Sequence, residues 1–376
     1  MKLLEPYLRL MAEKDASDVF LLTMAPPQMK IEGETMPVAK KKFEPGAVKK
    51  IAYSIMSETQ IAEFEQTHEM NLGLSLSGIG RFRVNIFVQR SEPSMVIRYI
   101  KSEIPTFESL CLPDVLKDLV MNKTGLVLVV GSTGSGKSTT LAAMIDHRSK
   151  ESSGHILTIE DPVEFSFKHQ KSMISQREVG LDTLSYENAL REAMREAPNV
   201  IMIGEVRDRE TMRAAITYAD TGHLCLSTLH AVNANQALDR IINLYPTDAK
   251  NQVLMDLSLN LKGIISQRLI VGQDGKRVPA IEILVNTPFI QELIRKGAMH
   301  EIKEIMEKGA SAGMQTFDQS LFELVQAKKI DLKSALASAD SSTDLEWKIN
   351  FGGGKGMTKK ADAESLELPS EMEQNR

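Results

Sequence analysis

Cysteine is almost missing from these 376 residues: only Cys111 and Cys225 occur, far apart and without a metal-ligand spacing. That excludes a cysteine-based zinc site within one chain and fits a reduced, cytoplasmic compartment. A basic surplus is missing too, since 45 Lys and Arg face 50 Asp and Glu. A net charge of −5 gives no general reason to expect a nucleic-acid ligand. No apolar run approaches the length of a transmembrane helix. The first residues mix apolar Leu3, Leu4, Tyr7, Leu8, Leu10 and Met11 with charges, the pattern of an amphipathic helix and not of a signal peptide.

What is present centres on residues 125–141, GLVLVVGSTGSGKSTTL. A short apolar run, a glycine loop and a helix-forming stretch follow one another. Gly131, Gly136, Lys137 and Ser138 fill every fixed position of the phosphate-binding pattern G-x-x-x-x-G-K-[ST]. Gly131, Gly134 and Gly136 free backbone N–H groups to cradle phosphate oxygens, and the start of the following helix favours the anion further. Ser132, Thr133, Gly134, Ser135, Gly136, Lys137, Ser138 and Thr139 are therefore expected to hold a nucleotide, with Lys137 on the β- and γ-phosphates and Ser138 on Mg²⁺.

Ahead of this loop lies a small α+β module, residues 1–100. Its strand at 81–88 places Phe82, Val84, Ile86 and Val88 on one face and Arg81, Arg83 and Asn85 on the other. Taken alone, that polar face reads as solvated. Residues 101–113, with two prolines, read as a linker. From 114 to 340 continuously apolar strands at 126–130, 155–159, 199–203 and 223–227 alternate with helices, as in a doubly wound α/β domain built on a parallel sheet. Beyond Pro246 the pattern turns helical: helices are expected at 246–267, 288–296, 300–308, 316–327 and 331–339, with a β-rich insert at 277–285. The polar, glycine-rich segment 341–376 is expected to be disordered, with Trp347 and Phe351 in a solvated tail.

Three further segments sit at strand ends, where such a fold binds ligands. The first, at 156–164, carries Glu160, Asp161 and Glu164, three acids that suit a Mg²⁺ partner and activation of water, with Pro162 fixing the loop. The second, at 199–208, ends an apolar run on Gly204 and Glu205, a variant of the Walker B carboxylate. The third carries His223 and His230 on either side of one strand, able to hydrogen-bond the Walker B acid or sense the γ-phosphate, with a structural role equally open.

In that order GSTGSGKSTT, TIEDPVEF, IGEVRD and TGHLCLSTLH resemble the Walker A, Asp box, atypical Walker B and His box of the secretion-superfamily ATPases. The resemblance covers roughly residues 15–330, including ASDVFLL and GIGRFRVNIF of the first module. It implies a RecA-like P-loop ATPase domain with a helical C-terminal part, preceded by a PAS-like α+β domain. It also implies ATP and Mg²⁺ as ligands and a homo-hexameric ring. On this resemblance Glu164 activates water, with Glu160 second, while Glu205 and His230 complete the catalytic set and Ser138, Glu205 and Asp161 attend the metal. Arg81 and Arg83 match the region that supplies arginines to a neighbouring subunit's nucleotide, which replaces the solvated reading.

Absence of zinc cysteines and of a long N-terminal extension resembles the pilus-retraction branch, PilT and PilU, over the assembly and type II secretion ATPases. The sequence at 287–294, TPFIQELI, lacks an arginine typical of PilT and resembles PilU more closely. That branch implies twitching motility, a PilT-like partner ATPase, an inner-membrane pilus platform protein and a cytoplasmic position at the pilus base. An assembly or type II secretion ATPase, and an accessory ring subunit with little independent motor activity, remain alternatives. A nucleic-acid motor is disfavoured by the acidic balance and the lack of a basic aromatic stripe.

Overall fold

The computed structural model describes residues 2–31, 33–100, 103–309 and 312–351. Two sheets organise them. The first belongs to the N-terminal module: α1 (Glu5–Glu13), β1 (Asp18–Leu21), β2 (Gln28–Ile31), β3 (Glu34–Pro37), α2 (Ala47–Tyr53), α3 (Glu58–Thr67), β4 (Glu69–Leu76), β5 (Gly80–Gln89) and β6 (Glu92–Ile100). Its strands pair antiparallel in the order β3-β2-β1-β6-β5-β4. Alternation does the work here. Phe82, Val84 and Ile86 of β5 are fully buried among the residues of α1, α2 and α3, while Arg81, Arg83 and Asn85 stay half-buried on the opposite face. Ser57 caps α3 and forms a capping box with Gln60.

The second sheet follows α4 (Val115–Met121). Its chain order is β7 (Gly125–Val130), α5 (Lys137–Glu151), β8 (Gly154–Glu160), β9 (Ser172–Glu178), α6 (Tyr186–Ala193), β10 (Val200–Ile203), α7 (Arg209–Asp220), β11 (Leu224–Leu229), α8 (Ala234–Asn243), α9 (Lys250–Asn260), β12 (Leu261–Val271) and β13 (Arg277–Val285). The strands lie in the order β13-β12-β7-β11-β10-β8-β9, parallel throughout except at the β12–β13 pair. Every residue of β7, β10 and β11 is buried, because helices cover both faces. The doubly wound α/β expectation holds. Helices α10 (Pro288–Lys296), α11 (Ile302–Lys308), α12 (Phe317–Gln326), α13 (Leu332–Ser338) and α14 (Ser342–Phe351) complete the described residues.

Two expectations need correction. The helix expected over 246–267 stops at Asn260, and Leu261 continues as strand β12 between β7 and β13. Leu254, Leu257, Leu261 and Ile264 mimic a helical stripe. What overrides them is a place between two strands that supplies backbone partners on both sides. Gly263 fits that slot, since a Cβ there would stand 2.9 Å from the Leu284 carbonyl oxygen. Second, the disorder expected from 341 fails at its start, where 342–351 form α14. Asp318 accepts the N–H groups of Asp340 (2.8 Å) and Ser341 (3.2 Å), and the fully buried Leu345 packs with Phe317, Leu321, Ile330 and Ala335. One anchored apolar side chain orders a segment whose composition reads as solvated. Trp347 on α14 is 63% exposed, and the remainder of the expected tail, 352–376, lies outside the described residues.

Candidate active site

The large sheet brings its chemistry to one edge. After β7 the loop turns through Gly134 and Gly136, at φ +76° and +90°, conformations that favour glycine. A Cβ on Gly131 would approach the Gln267 carbonyl oxygen to 2.6 Å, so β12 packs directly beneath the loop. Lys137 begins α5 and is buried; its ammonium donates to the carbonyl oxygens of Gly131 (3.0 Å) and Ser132 (2.9 Å). Burial lowers its pKa, and Glu205 and Glu164 nearby act in the opposite direction.

The two glutamates of the second segment divide sharply. Glu160 is 6% exposed at the end of β8, where its carboxylate accepts from Thr158 Oγ1 (2.7 Å), Gln176 Nε2 (3.2 Å) and the Glu164 N–H (3.5 Å). Burial pushes its pKa up to about 7. Glu164 is exposed, and its Oε1 accepts from the Ser138 hydroxyl at 2.8 Å. Asp161 and Pro162 lie between them, joined by a cis peptide bond. At the end of β10, both oxygens of Glu205 are engaged: Oε1 is 2.7 Å from His230 Nε2, and Oε2 accepts from Arg207 Nε at 2.6 Å. Arg207 also reaches Asp161 at 3.5 Å. Tyr186, from α6, packs over Gly204.

These groups surround one cavity of about 1030 Å³, which Thr133, Gly134, Gly136, Lys137, Ser138, Thr139, Glu160, Asp161, Glu164, Glu205, Arg207 and His230 line. Ser132 and Ser135 face a separate hollow on the far side of the loop, beside Arg268. Ser132 still contributes its carbonyl to Lys137. His223 is not brought to the site. It precedes β11 while His230 follows it, so the six intervening strand residues separate them by roughly 20 Å at ~3.3 Å each. Its ring instead lies against the Tyr218 carbonyl oxygen (3.3 Å), a structural arrangement. Arg81 and Arg83 do not line the cavity of their own chain either. Arg81 lies 3.6 Å from Asp182, and Arg83 lies 3.8 Å from Glu178.

Sequence reasoning missed Thr158, Gln176, Arg207 and Tyr186. Arg207 was visible two residues past Glu205. Gln176 was not, because β9 is a seven-residue edge strand with too little apolar pattern to announce itself. The donor set also bears on Mg²⁺. Among the described residues no cluster of three His, Cys, Asp or Glu side chains forms a closed metal cage. Ser138 and the carboxylates around it are hard oxygen donors, suited to a Mg²⁺ that takes its other ligands from phosphate and water.

The fold and this site define a class: a RecA-like P-loop ATPase preceded by an α+β module. Residues 1–329 match the family described as Type II/IV secretion system protein, and the chain belongs to that family. Among curated relatives, the type IV pilus ATPase PilU of Pseudomonas aeruginosa is 53% identical over 349 residues, covering 93% of this chain and 91% of that one. The type IV pilus retraction ATPase PilT of the same organism is 41% identical over 328 residues, covering 87% and 95%. The solved structure of the pilus retraction motor PilT with bound ADP superposes with a TM-score of 0.84 at 41% identity, covering 90% of this chain and 98% of that one.

Proposed function

We propose that this chain is an ATP-hydrolysing motor of type IV pilus retraction, working as a hexameric ring beside a PilT-like ATPase. The observation that carries the hydrolytic part is the 2.8 Å contact between Ser138 and Glu164, which joins the phosphate loop to an exposed carboxylate in one cavity. Glu164 orients and deprotonates the attacking water, because of the two Asp-box glutamates that line the cavity it is the exposed one and Glu160 is buried. Glu160, held beneath by Thr158 and Gln176, fixes the Glu164 backbone. Lys137 leaves its loop carbonyls for the β- and γ-phosphates, and the N–H groups of 132–139 cradle them. Ser138, Asp161 and Glu205 would hold Mg²⁺, which neutralises phosphate charge when bound. His230 and Arg207 keep Glu205 in place.

Arg81 and Arg83 act across the subunit boundary, on the nucleotide of a neighbour. The ring works on a platform protein at the cytoplasmic side of the inner membrane. Identity to PilU and the TPFIQELI segment support the accessory position. The test is deletion of the gene in a piliated cell, complemented with wild type or Lys137→Ala. Pili retained with twitching lost, restored only by wild type, supports the reading. Loss of the pili themselves would mark an assembly ATPase instead.

A further inference from the structure

Glu178, at the end of β9, stands between the two modules and has no part in the scheme above. Its side chain is 2% exposed, yet it faces two different partners. Oε1 lies 3.8 Å from Arg83 Nε of the N-terminal sheet, and Oε2 accepts the backbone N–H of Val163 at 3.2 Å. Val163 immediately precedes Glu164. The neighbouring turn tightens the same junction: Asp182, 3.6 Å from Arg81, accepts the Glu178 N–H at 2.9 Å, and the Val179 N–H bonds to the Glu160 carbonyl oxygen at 2.9 Å. A carboxylate so enclosed needs compensation, and burial raises its pKa while Val163, Arg83 and Arg81 hold it down.

We propose that Glu178 is a positioning residue that couples the docking of the N-terminal sheet to the placement of Glu164. With Arg81 and Arg83 docked on their own chain, Glu178 keeps its counter-charge and holds the Val163 amide, and through it the loop that carries Glu164. When the arginines leave for another partner, the buried carboxylate loses its counter-charge, and the loop loses a fixed point. The same two arginines therefore cannot serve a neighbour's nucleotide and hold this junction at once. The inference rests on Glu164 as the water-activating group.

Hydrogen exchange of the nucleotide-free full chain tests it, because this readout needs neither ATP turnover nor pili. Arg83→Gln should speed exchange of the Val163 amide about tenfold, the size of one weakened hydrogen bond to a charged group, with Arg83→Lys largely restoring it. Glu178→Gln should show the same acceleration, with kcat lowered and the KM for ATP unchanged. Wild-type exchange at Val163 in Arg83→Gln would overturn the proposal, even if Glu178→Gln fails to fold. An elevated KM at unchanged kcat in Glu178→Gln would overturn it equally. Failure of the retraction reading leaves the exchange result untouched, so the two can fail separately.

Discussion

The two sheets of this molecule use their surfaces in opposite ways. In the antiparallel N-terminal sheet one face of β5 is core and the other is polar, so the arginines proposed to act on a neighbour's nucleotide, Arg81 and Arg83, stand on a face. In the parallel sheet both faces are covered, and nothing on β7, β10 or β11 is exposed. Chemistry there can only occur where strands stop. Residues 131–138, 160–164, 204–207 and 230 each follow a different strand end, and all four groups meet at one cavity. A covered sheet concentrates function at an edge, whereas a half-covered one can offer it along a strand.

Breaking the edge should produce the largest effects. Lys137→Ala removes the ammonium aimed into the phosphate loop, and ATPase activity should fall about a thousandfold, the scale of losing a pre-placed charge at the transferring group. Steady-state phosphate release measures it, with unfolding temperature as the control. Glu164→Gln should leave nucleotide affinity nearly intact while kcat drops about a hundredfold, the usual range for a lost general base. Equal losses in Glu164→Gln and Glu160→Gln would contradict the division between an exposed and a buried carboxylate.

The complementary break is in the face of the small sheet. Phe82 is fully buried in a core cluster that shares no residue with those of the large sheet. Phe82→Ala should destabilise the N-terminal module by about 3–5 kcal/mol, the range for emptying a buried aromatic site. Calorimetry should show this loss while titration with fluorescent ADP shows affinity changed less than about twofold, well under the ~1.4 kcal/mol of a tenfold shift. A large loss of ADP affinity would mean the modules do not divide structure and binding in this way.

Legibility followed the same division. The parallel strands were readable as continuous apolar runs, and the phosphate loop was readable because its glycines and lysine have fixed spacing. What stayed hidden depended on partners distant in sequence. Strand β12 carries a helical stripe and is extended only because β7 and β13 flank it. Edge strand β9 has the pattern SMISQRE, with buried and exposed positions set by the loop at 163–167 and not by its own periodicity. Arg81 and Arg83 were found as a pair, but their own-chain partners, Glu178 and Asp182, lie about a hundred residues away. His223 and His230 looked equivalent because a motif carries no strand direction.

Protonation of Glu160 offers a finer cut at the edge. Its folded pKa, about 7, lies above the ordinary carboxyl value because burial disfavours the anion. The folded chain thus holds a proton that the unfolded chain has released. Its contribution to stability is complete below the ordinary carboxylate range and is lost as pH rises towards 7. Between pH 5 and pH 7 wild type should lose about 2–3 kcal/mol that Glu160→Gln does not, at ~1.4 kcal/mol per unit. Urea unfolding of both proteins across that interval decides it. Parallel pH profiles would show that Glu160 is ionised in the folded chain throughout.

The smallest effect separates the two ends of one strand. His230 Nε2 lies 2.7 Å from Glu205, whereas His223 lies at the opposite end of β11 against the Tyr218 carbonyl. His230→Ala should lower kcat about tenfold, as expected when a half-buried carboxylate loses one of its two hydrogen-bonding partners. Arg207 still holds the other oxygen, which is why the loss should stay well short of that in Glu164→Gln. His223→Ala should leave kcat unchanged within about twofold, because a half-buried ring with one long backbone contact contributes at most ~1 kcal/mol, and to stability alone. Comparable kcat losses at both positions would mean that the histidines act through β11 itself, and the rule that this sheet works only from its edge would fail.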